Sequence, residues 1–423
     1  MVENRLRHVT VVGTSIAGLT AAQSLRSQGF EGGITLFGDE PIGTYQRPAL
    51  SKRFLTDDSL EVADIRMRWD VPDLIFELNV RATHFDLTQR QLTLCDQATG
   101  RTYNHSVDGL IIASGATARK LPGDTPSGVY TLRTMEDALN LRQDLKHKPR
   151  VAIVGAGFVG SEVASSCRSL GLDVTMIEAS SSPMGRVLGE RVGLTLAGLH
   201  SDNGTRLRLG AGVAGFTGSE RVTGVRLAQG EVIPADVVIV GVGSRPATDW
   251  LEGSGLPVND GVLCGRDLSI GNRIVAAGDV ARWPSSRDGS YIRVEHWDNA
   301  IRQAKIAAAT LLAPPGTATR FSETSMFWSD QYDCKLQLIG HPNPDDEISI
   351  AEGSLEERRC VVVYRNAGRM TAALLMSSPH RLRTYREEVL AAYSGSAKHD
   401  TAPRTDLEPA SLHEVVQPTS TRF

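Results

Sequence analysis

With 423 residues, 41% hydrophobic and 22% charged, the chain has the balance of a folded globular protein and the length for two or three domains. A formal net charge of −4 provides no global attraction to nucleic acid or an anionic membrane, so neither is an expected partner. No apolar run approaches the roughly 20 residues of a membrane helix, and the opening MVENRLRHVTVVG lacks the apolar stretch of a secretory signal.

Residues 9–12 form an apolar strand that runs into a turn containing Gly13, Ser15 and Gly18. A helix is expected over 19–28, closed by Gly29, and a second strand over 34–37 ends at Gly38-Asp39-Glu40, which completes a βαβ unit. A further apolar strand, 110–113, stops at Ser114-Gly115. The same grammar then restarts: strand 151–154, a turn with Gly155, Gly157 and Gly160, a helix, and a strand closing at Glu178. Strands over 237–240 and 274–277 each end in glycine. Beyond them the pattern changes to short strand-like runs at 334–339, 348–351, 360–364 and 371–376, followed by a charged helix over 380–393. That suggests a small α+β domain appended to a doubly wound part. From about Ser394 onward Ser, Pro, Thr and charges dominate, and a flexible tail is expected.

The second glycine turn has the full G-x-G-x-x-G pattern. Its first glycine permits the tight turn, the second lets the backbone approach a pyrophosphate, and the third lets helix and strand pack closely. Helix N-terminal N–H groups then face the phosphates. Glu178, at the end of the next strand, is placed to bind a ribose 2′-hydroxyl and to repel a 2′-phosphate, so NADH is expected rather than NADPH. In the first turn Ser15 stands at the middle position. Serine adds one carbon and a hydroxyl that can donate to a phosphate oxygen, while Gly13, Ala17 and Gly18 keep the turn tight. Binding is expected to survive, with Asp39 as the ribose acceptor. Two such units suggest two cofactors, a flavin and a nicotinamide, and Gly278-Asp279, after an apolar strand, can meet a ribityl chain.

The five cysteines, Cys95, Cys167, Cys264, Cys334 and Cys360, are scattered and form no C-x-x-C pair. This argues against a disulfide framework, a zinc site and a built-in thiol redox pair, so no metal is expected and a cytoplasmic location is the default.

Eight segments carry a family resemblance in order: GDEPIGTYQRPALSKRFL, IIASGATARKLPG, TLRTMEDA, VAIVGAGFVGSEVA, IVGVGSRPATDWLEGSGL, IVAAGDVARWP, RVEHWDNAIRQAKIAA and FWSDQY. Over roughly residues 9–393 the chain resembles the NADH-dependent ferredoxin reductases that serve cytochrome P450 and Rieske oxygenase systems. The resemblance implies an α/β fold of two Rossmann-like dinucleotide-binding domains plus a small α+β C-terminal domain. FAD would lie in 1–117 and 244–321, NAD in 118–243, the C-terminal reductase domain in 322–395 and the tail in 396–423. It also implies that Ala17, Asp39, Arg47, Lys52, Ala82, Arg133, Gly278, Asp279 and Trp297 contact FAD, with Lys52 close to the flavin ring. Gly155, Gly157, Gly160, Glu178, Arg186 and Gly243 would contact NAD, and Glu162 and Glu295 would lie near the nicotinamide. Electrons would pass from NADH through FAD to a [2Fe-2S] or similar ferredoxin that feeds an oxygenase. Trp328, in FWSDQY, would stand between flavin and partner, unless it is a core tryptophan. Arg66, Arg68, Arg302 and Lys305 are the docking candidates for an acidic ferredoxin. Two departures from the family pattern are Gln46, where an aspartate is common, and Ser114. A rubredoxin reductase or NADH oxidase-like enzyme, and a non-catalytic flavoprotein akin to apoptosis-inducing factor, remain the competing readings.

Overall fold

The computed structural model describes residues 6–67, 71–271, 273–314, 316–321, 324 and 326–396. Arg68 and the segment 397–423 lie outside the described residues.

The apolar run at the start forms the strand His8–Val12, whose last four residues are buried. It is central to a six-stranded sheet ordered Ser269–Gly271, Ile274–Ala276, Gly109–Ile112, His8–Val12, Gly33–Gly38 and Leu74–Leu78. All neighbours are parallel except the outermost pair at the Ser269–Gly271 edge. Parallel strands buried on both faces read as continuous Val/Ile/Leu runs, which is why the four inner strands were visible in the sequence while the half-exposed outer ones, Ser269–Gly271 and Leu74–Leu78, were not. The first helix, Ile16–Ser27, starts three residues earlier than expected, directly after Ser15 as N-cap. It packs on the late helix Trp297–Leu312. Buried Ala17, Ala21 and Ala22 on one helix, and Ala300, Ala304, Ala307 and Ala308 on the other, keep the two backbones close.

A second, five-stranded sheet is ordered Arg206–Leu209, Asp173–Glu178, Arg150–Val154, Val237–Val240 and Val129–Tyr130, again parallel. The chain crosses between the two sheets through a small antiparallel ribbon, Ala116–Ala118 paired with Ser244–Pro246. Both crossings therefore lie side by side, and the Arg119 amide donates to the Gly243 carbonyl.

The third sheet is antiparallel: Met326–Gln331, Cys334–Gly340, Arg369–Met376, Arg359–Asn366 and Glu347–Ser354. The helix Leu382–Ser396 covers one face through Tyr385, Val389 and Tyr393. It continues through Ser396, so the expected tail boundary near Ser394 falls inside a helix. The other face buries Leu336, Leu338, Val362 and Leu374 against Leu188, Val192, Leu196 and Leu199 of the second unit. This sheet is thus packed into the molecule rather than hung on its end. Among the described residues no helix is long and apolar enough to cross a membrane.

Candidate functional site: two dinucleotide turns and the groups between them

The two glycine turns superimpose in conformation. Gly13 and Gly155 have φ of +119° and +101°, where a side chain is strained. A Cβ at Gly13 would sit 2.1 Å from the Ala113 carbonyl oxygen, and one at Gly155 would sit 2.4 Å from that of Gly241. At Gly18 and Gly160 a Cβ would meet the carbonyl oxygens of Gly13 and Gly155 at 1.8 and 2.1 Å. The middle position is different. Gly157 adopts φ −75°, ψ −175°, which any residue can take, and a Cβ there meets nothing within 4 Å. Ser15 adopts φ −82°, ψ −168°, and its side chain caps nothing. The fold therefore needs the outer glycines and leaves open space at the middle one, which fits a pyrophosphate resting on the helix N-terminus. Ser15 preserves that geometry.

The acids that end the second strands are held unequally. Glu178 accepts from the amides of Ala156 (2.7 Å) and Ser180 (2.8 Å), so its carboxylate is locked beside the glycine turn. Next to it a cleft of about 360 Å³ is lined by Ser180, Ser181, Ser182, Gly185, Arg186 and Glu190, with Arg186 exposed at its rim. Asp39 is exposed and lies 3.8 Å from Arg81, which adjoins half-buried Ala82. Its neighbour Glu40 is the engaged acid. It accepts from Tyr45 and Arg47 at 2.8 Å and from the Met135 amide at 3.1 Å. Arg47 also donates to the Arg133 carbonyl, and Arg133 pairs with Asp279 at 2.6 Å. Gly278 has φ +81°, and a Cβ there would sit 3.0 Å from Ala17 Cβ. Glu40, Arg47, Arg133 and Asp279 thus form one charged chain along the first unit, with Trp297 half-buried at the start of the late helix.

Between the units, Lys52 Nζ pairs with Glu162 Oε2 at 2.8 Å. The same oxygen accepts from Ser51 Oγ at 2.5 Å, and Oε1 accepts from Ser329 Oγ at 2.7 Å. Lys52 comes from the first unit, Glu162 from the helix Phe158–Ser169 of the second, and Ser329 from the third sheet. On the same helix and strand, Phe158 and Phe327 have ring centroids 4.3 Å apart, and His296 is 5.0 Å from Phe327. Burial pushes the His296 imidazole down to about 3, so it is neutral at physiological pH.

Residues 7–304 match the family model of the pyridine nucleotide-disulphide oxidoreductases, and 326–411 match the reductase C-terminal model. The chain is 35% identical over 378 residues to the ferredoxin reductase component of chlorobenzene dioxygenase from Cupriavidus sp. (strain PS12), covering 88% of this chain and 90% of that protein. It is 37% identical to rhodocoxin reductase of Rhodococcus erythropolis, over 78% of each chain. A crystal structure of the covalent putidaredoxin reductase–putidaredoxin complex superimposes with a TM-score of 0.83 at 29% identity, covering 97% of this chain and 96% of that one. The chain belongs to the NADH-dependent ferredoxin reductases of oxygenase systems. Membership and fold together imply FAD and NAD(H) binding and an oxidoreductase activity.

The remaining expected site residues of this reductase are placed as follows. Glu295 is held by Arg293 and by Ser244 of the inter-sheet ribbon, and Gly243, at φ +94°, precedes that ribbon strand. The structure brings Glu162 to Lys52, whereas Glu295 is committed to its own arginine. Trp328 is half-buried on the strand Met326–Gln331, opposite Gln337. Arg302 is a poor docking cation. Its guanidinium donates to the Thr324 carbonyl and lies over the Phe321 ring at 5.6 Å, so it ties the late helix to the segment before the third sheet. Lys305 and Arg66 are exposed. All five cysteines are free, and burial pushes Cys167 up to about 12 and Cys264 higher still, so these thiols stay protonated.

Glu40, Ser51, Ser329, Phe158 and His296 were not singled out from sequence. Glu40 had a signal, being adjacent to Asp39, but nothing local separates the two acids. Ser51, Ser329 and Phe158 depend on contacts across more than 100 positions, and His296 meets Phe327 from a different element.

Proposed function

We propose that this reductase is an FAD-dependent NADH:ferredoxin oxidoreductase, cytoplasmic, that supplies a [2Fe-2S] or similar ferredoxin of an oxygenase system. One observation carries this reading. A half-buried lysine of the first dinucleotide unit pairs with a buried glutamate of the second, and the sequence carries no cysteine pair beside them.

The roles follow from placement. Gly13, Ser15, Ala17 and Gly18 would seat the FAD pyrophosphate, with Asp39 and Ala82 at the adenosine end and Arg47, Arg133, Gly278, Asp279 and Trp297 along the ribityl and ring end. Gly155, Gly157, Gly160 and Arg186 would seat the NADH phosphates, Glu178 the ribose, and Gly243 and Glu295 the nicotinamide side. FAD held there would supply the exchange between a hydride donor and a one-electron acceptor. Lys52 would hold positive charge beside the ring, Glu162 fixes the position of that charge, and Phe158 and Phe327 would keep water from the reacting face. Trp328 lies one residue from Ser329 and would close the ring edge toward the partner.

The test starts with the absorbance spectrum of the purified protein, followed by anaerobic mixing with NADH. The expected result is a flavin band that bleaches with NADH much faster than with NADPH, and cytochrome c reduction that depends on an added [2Fe-2S] ferredoxin. A protein that holds no FAD after reconstitution would overturn the reading. Equal turnover with rubredoxin and none with ferredoxin would replace the partner.

A further inference from the structure

We propose that Ser329, on the third sheet, is a positioning residue for the Lys52–Glu162 pair, so that this sheet sets the geometry beside the flavin as well as covering it. The inference rests on the proposed flavin site.

The argument begins with registry. The strand Met326–Gln331 lies along the helix Phe158–Ser169. Four helical residues rise about 6 Å, and two strand residues about 6.6 Å, so helix residues four apart can face strand residues two apart. Phe158 meets Phe327 and Glu162 meets Ser329 at that spacing, and Ser165 Oγ then accepts from the Tyr332 amide at 2.7 Å. The first two contacts index the strand to the helix and the third fixes the turn after it, and only the Glu162–Ser329 contact touches a charge.

Ser329 and Gln331 are fully buried, and Glu162 is 5% exposed. A serine hydroxyl has one hydrogen to give. Gln331 Nε2 donates to Ser329 Oγ at 3.2 Å, which commits the hydroxyl's own hydrogen to Glu162 Oε1. Gln331 holds this orientation although its Oε1, like Asn299 Oδ1, has no partner among the described residues, which costs free energy in a buried amide. The two carboxylate oxygens are therefore distinguished: Oε2 takes Lys52 and Ser51, and Oε1 takes Ser329. With both ends held, the carboxylate plane cannot turn, and the ammonium bonded to it stays in one place. Without Ser329 the carboxylate pivots about Oε2.

The test uses full-length FAD-loaded protein and the variants Ser329→Ala, Ser329→Thr and Gln331→Leu. In Ser329→Ala the visible absorption band of the resting, NADH-free flavin is expected to shift. Reduction at saturating NADH is expected to slow about tenfold, with the NADH Kd unchanged within about twofold. Threonine, which keeps the hydroxyl and suits a strand, restores both spectrum and rate. Gln331→Leu leaves the hydroxyl unoriented and gives a smaller change, about threefold, in the same direction. It also serves where the alanine variant does not fold. An alanine variant with the parent spectrum and rate and only a lowered Tm makes Ser329 structural and overturns the inference. Failure of the parent itself to bind FAD or to be reduced by NADH removes the proposed function instead, and the two failures are distinguishable.

Discussion

The two glycine turns share a backbone but differ in side chains, and the difference separates what the fold requires from what a ligand requires. At the outer positions both turns carry glycine because a Cβ would strike a carbonyl oxygen at 1.8 to 2.4 Å. At the middle position the first turn carries Ser15 and the second Gly157, with φ and ψ within a few degrees of each other. The outer glycines are demanded by the protein's own atoms. The middle one answers only to whatever lies over the helix end. The acids differ in the opposite sense: Glu178 is anchored by two backbone amides, whereas Asp39 is exposed and loosely placed.

The strongest way to break this comparison is to place alanine at the outer positions. Gly155→Ala combines a strained φ with a backbone clash, and NADH affinity is expected to fall by about 100-fold or more while FAD remains bound. Gly13→Ala should do the reverse and yield protein that loses its yellow colour on gel filtration. Retention of both ligands in either variant would mean the turn relaxes around the new methyl group. Next in size is the acid pair. Glu178→Ala is expected to lower the NADH over NADPH preference in kcat/KM by about 100-fold, since it removes both the ribose acceptor and the repulsion of a 2′-phosphate. Asp39→Ala should weaken FAD binding only about tenfold, measured by flavin release on dilution. The smallest effect belongs to the reciprocal exchange, Ser15→Gly and Gly157→Ser. Each should leave its own ligand's Kd within about threefold, because neither side chain meets protein. A larger loss in Gly157→Ser alone would show that the second pyrophosphate lies closer to its turn than the first.

Much of the fold was legible because it is written in local patterns. Buried parallel strands show as unbroken runs such as residues 151–154 and 237–240, and a glycine turn between strand and helix has few other meanings. Glu178 was readable for the same reason: the end of the second strand fixes where an acid must stand. Helix and tail boundaries were less legible. The first helix begins at Ile16 because Ser15 is its N-cap, and the last runs through Ser396 despite its small polar residues. At the site, Lys52 and Glu162 were each named from sequence, but their pairing was not, since they lie 110 positions apart and meet only when both sheets are built. Ser329 and Glu40 were invisible for a related reason: a serine in a strand or one of two adjacent acids acquires meaning only from its partner. Arg302 shows the converse, a cation whose charge suggested a surface and whose surroundings make it a brace.

The ribbon formed by Ala116–Ala118 and Ser244–Pro246 has a consequence for how such a molecule can be remade. The chain enters and leaves the second sheet's unit at adjoining residues, Arg119 and Gly243, so residues 119–243 are attached like an insert with touching ends. A segment attached in that manner can be exchanged for another without rerouting the remainder. The graft would have to bring an acid to the position of Glu162 for Lys52, a hydroxyl to the position of Ser166 for the Ser51 carbonyl, and an arginine to the position of Arg133 for Asp279. A transplanted unit meeting those three conditions, and presenting to the third sheet an apolar face in place of Leu188, Val192, Leu196 and Leu199, would exchange one dinucleotide site while leaving the first unit as it is.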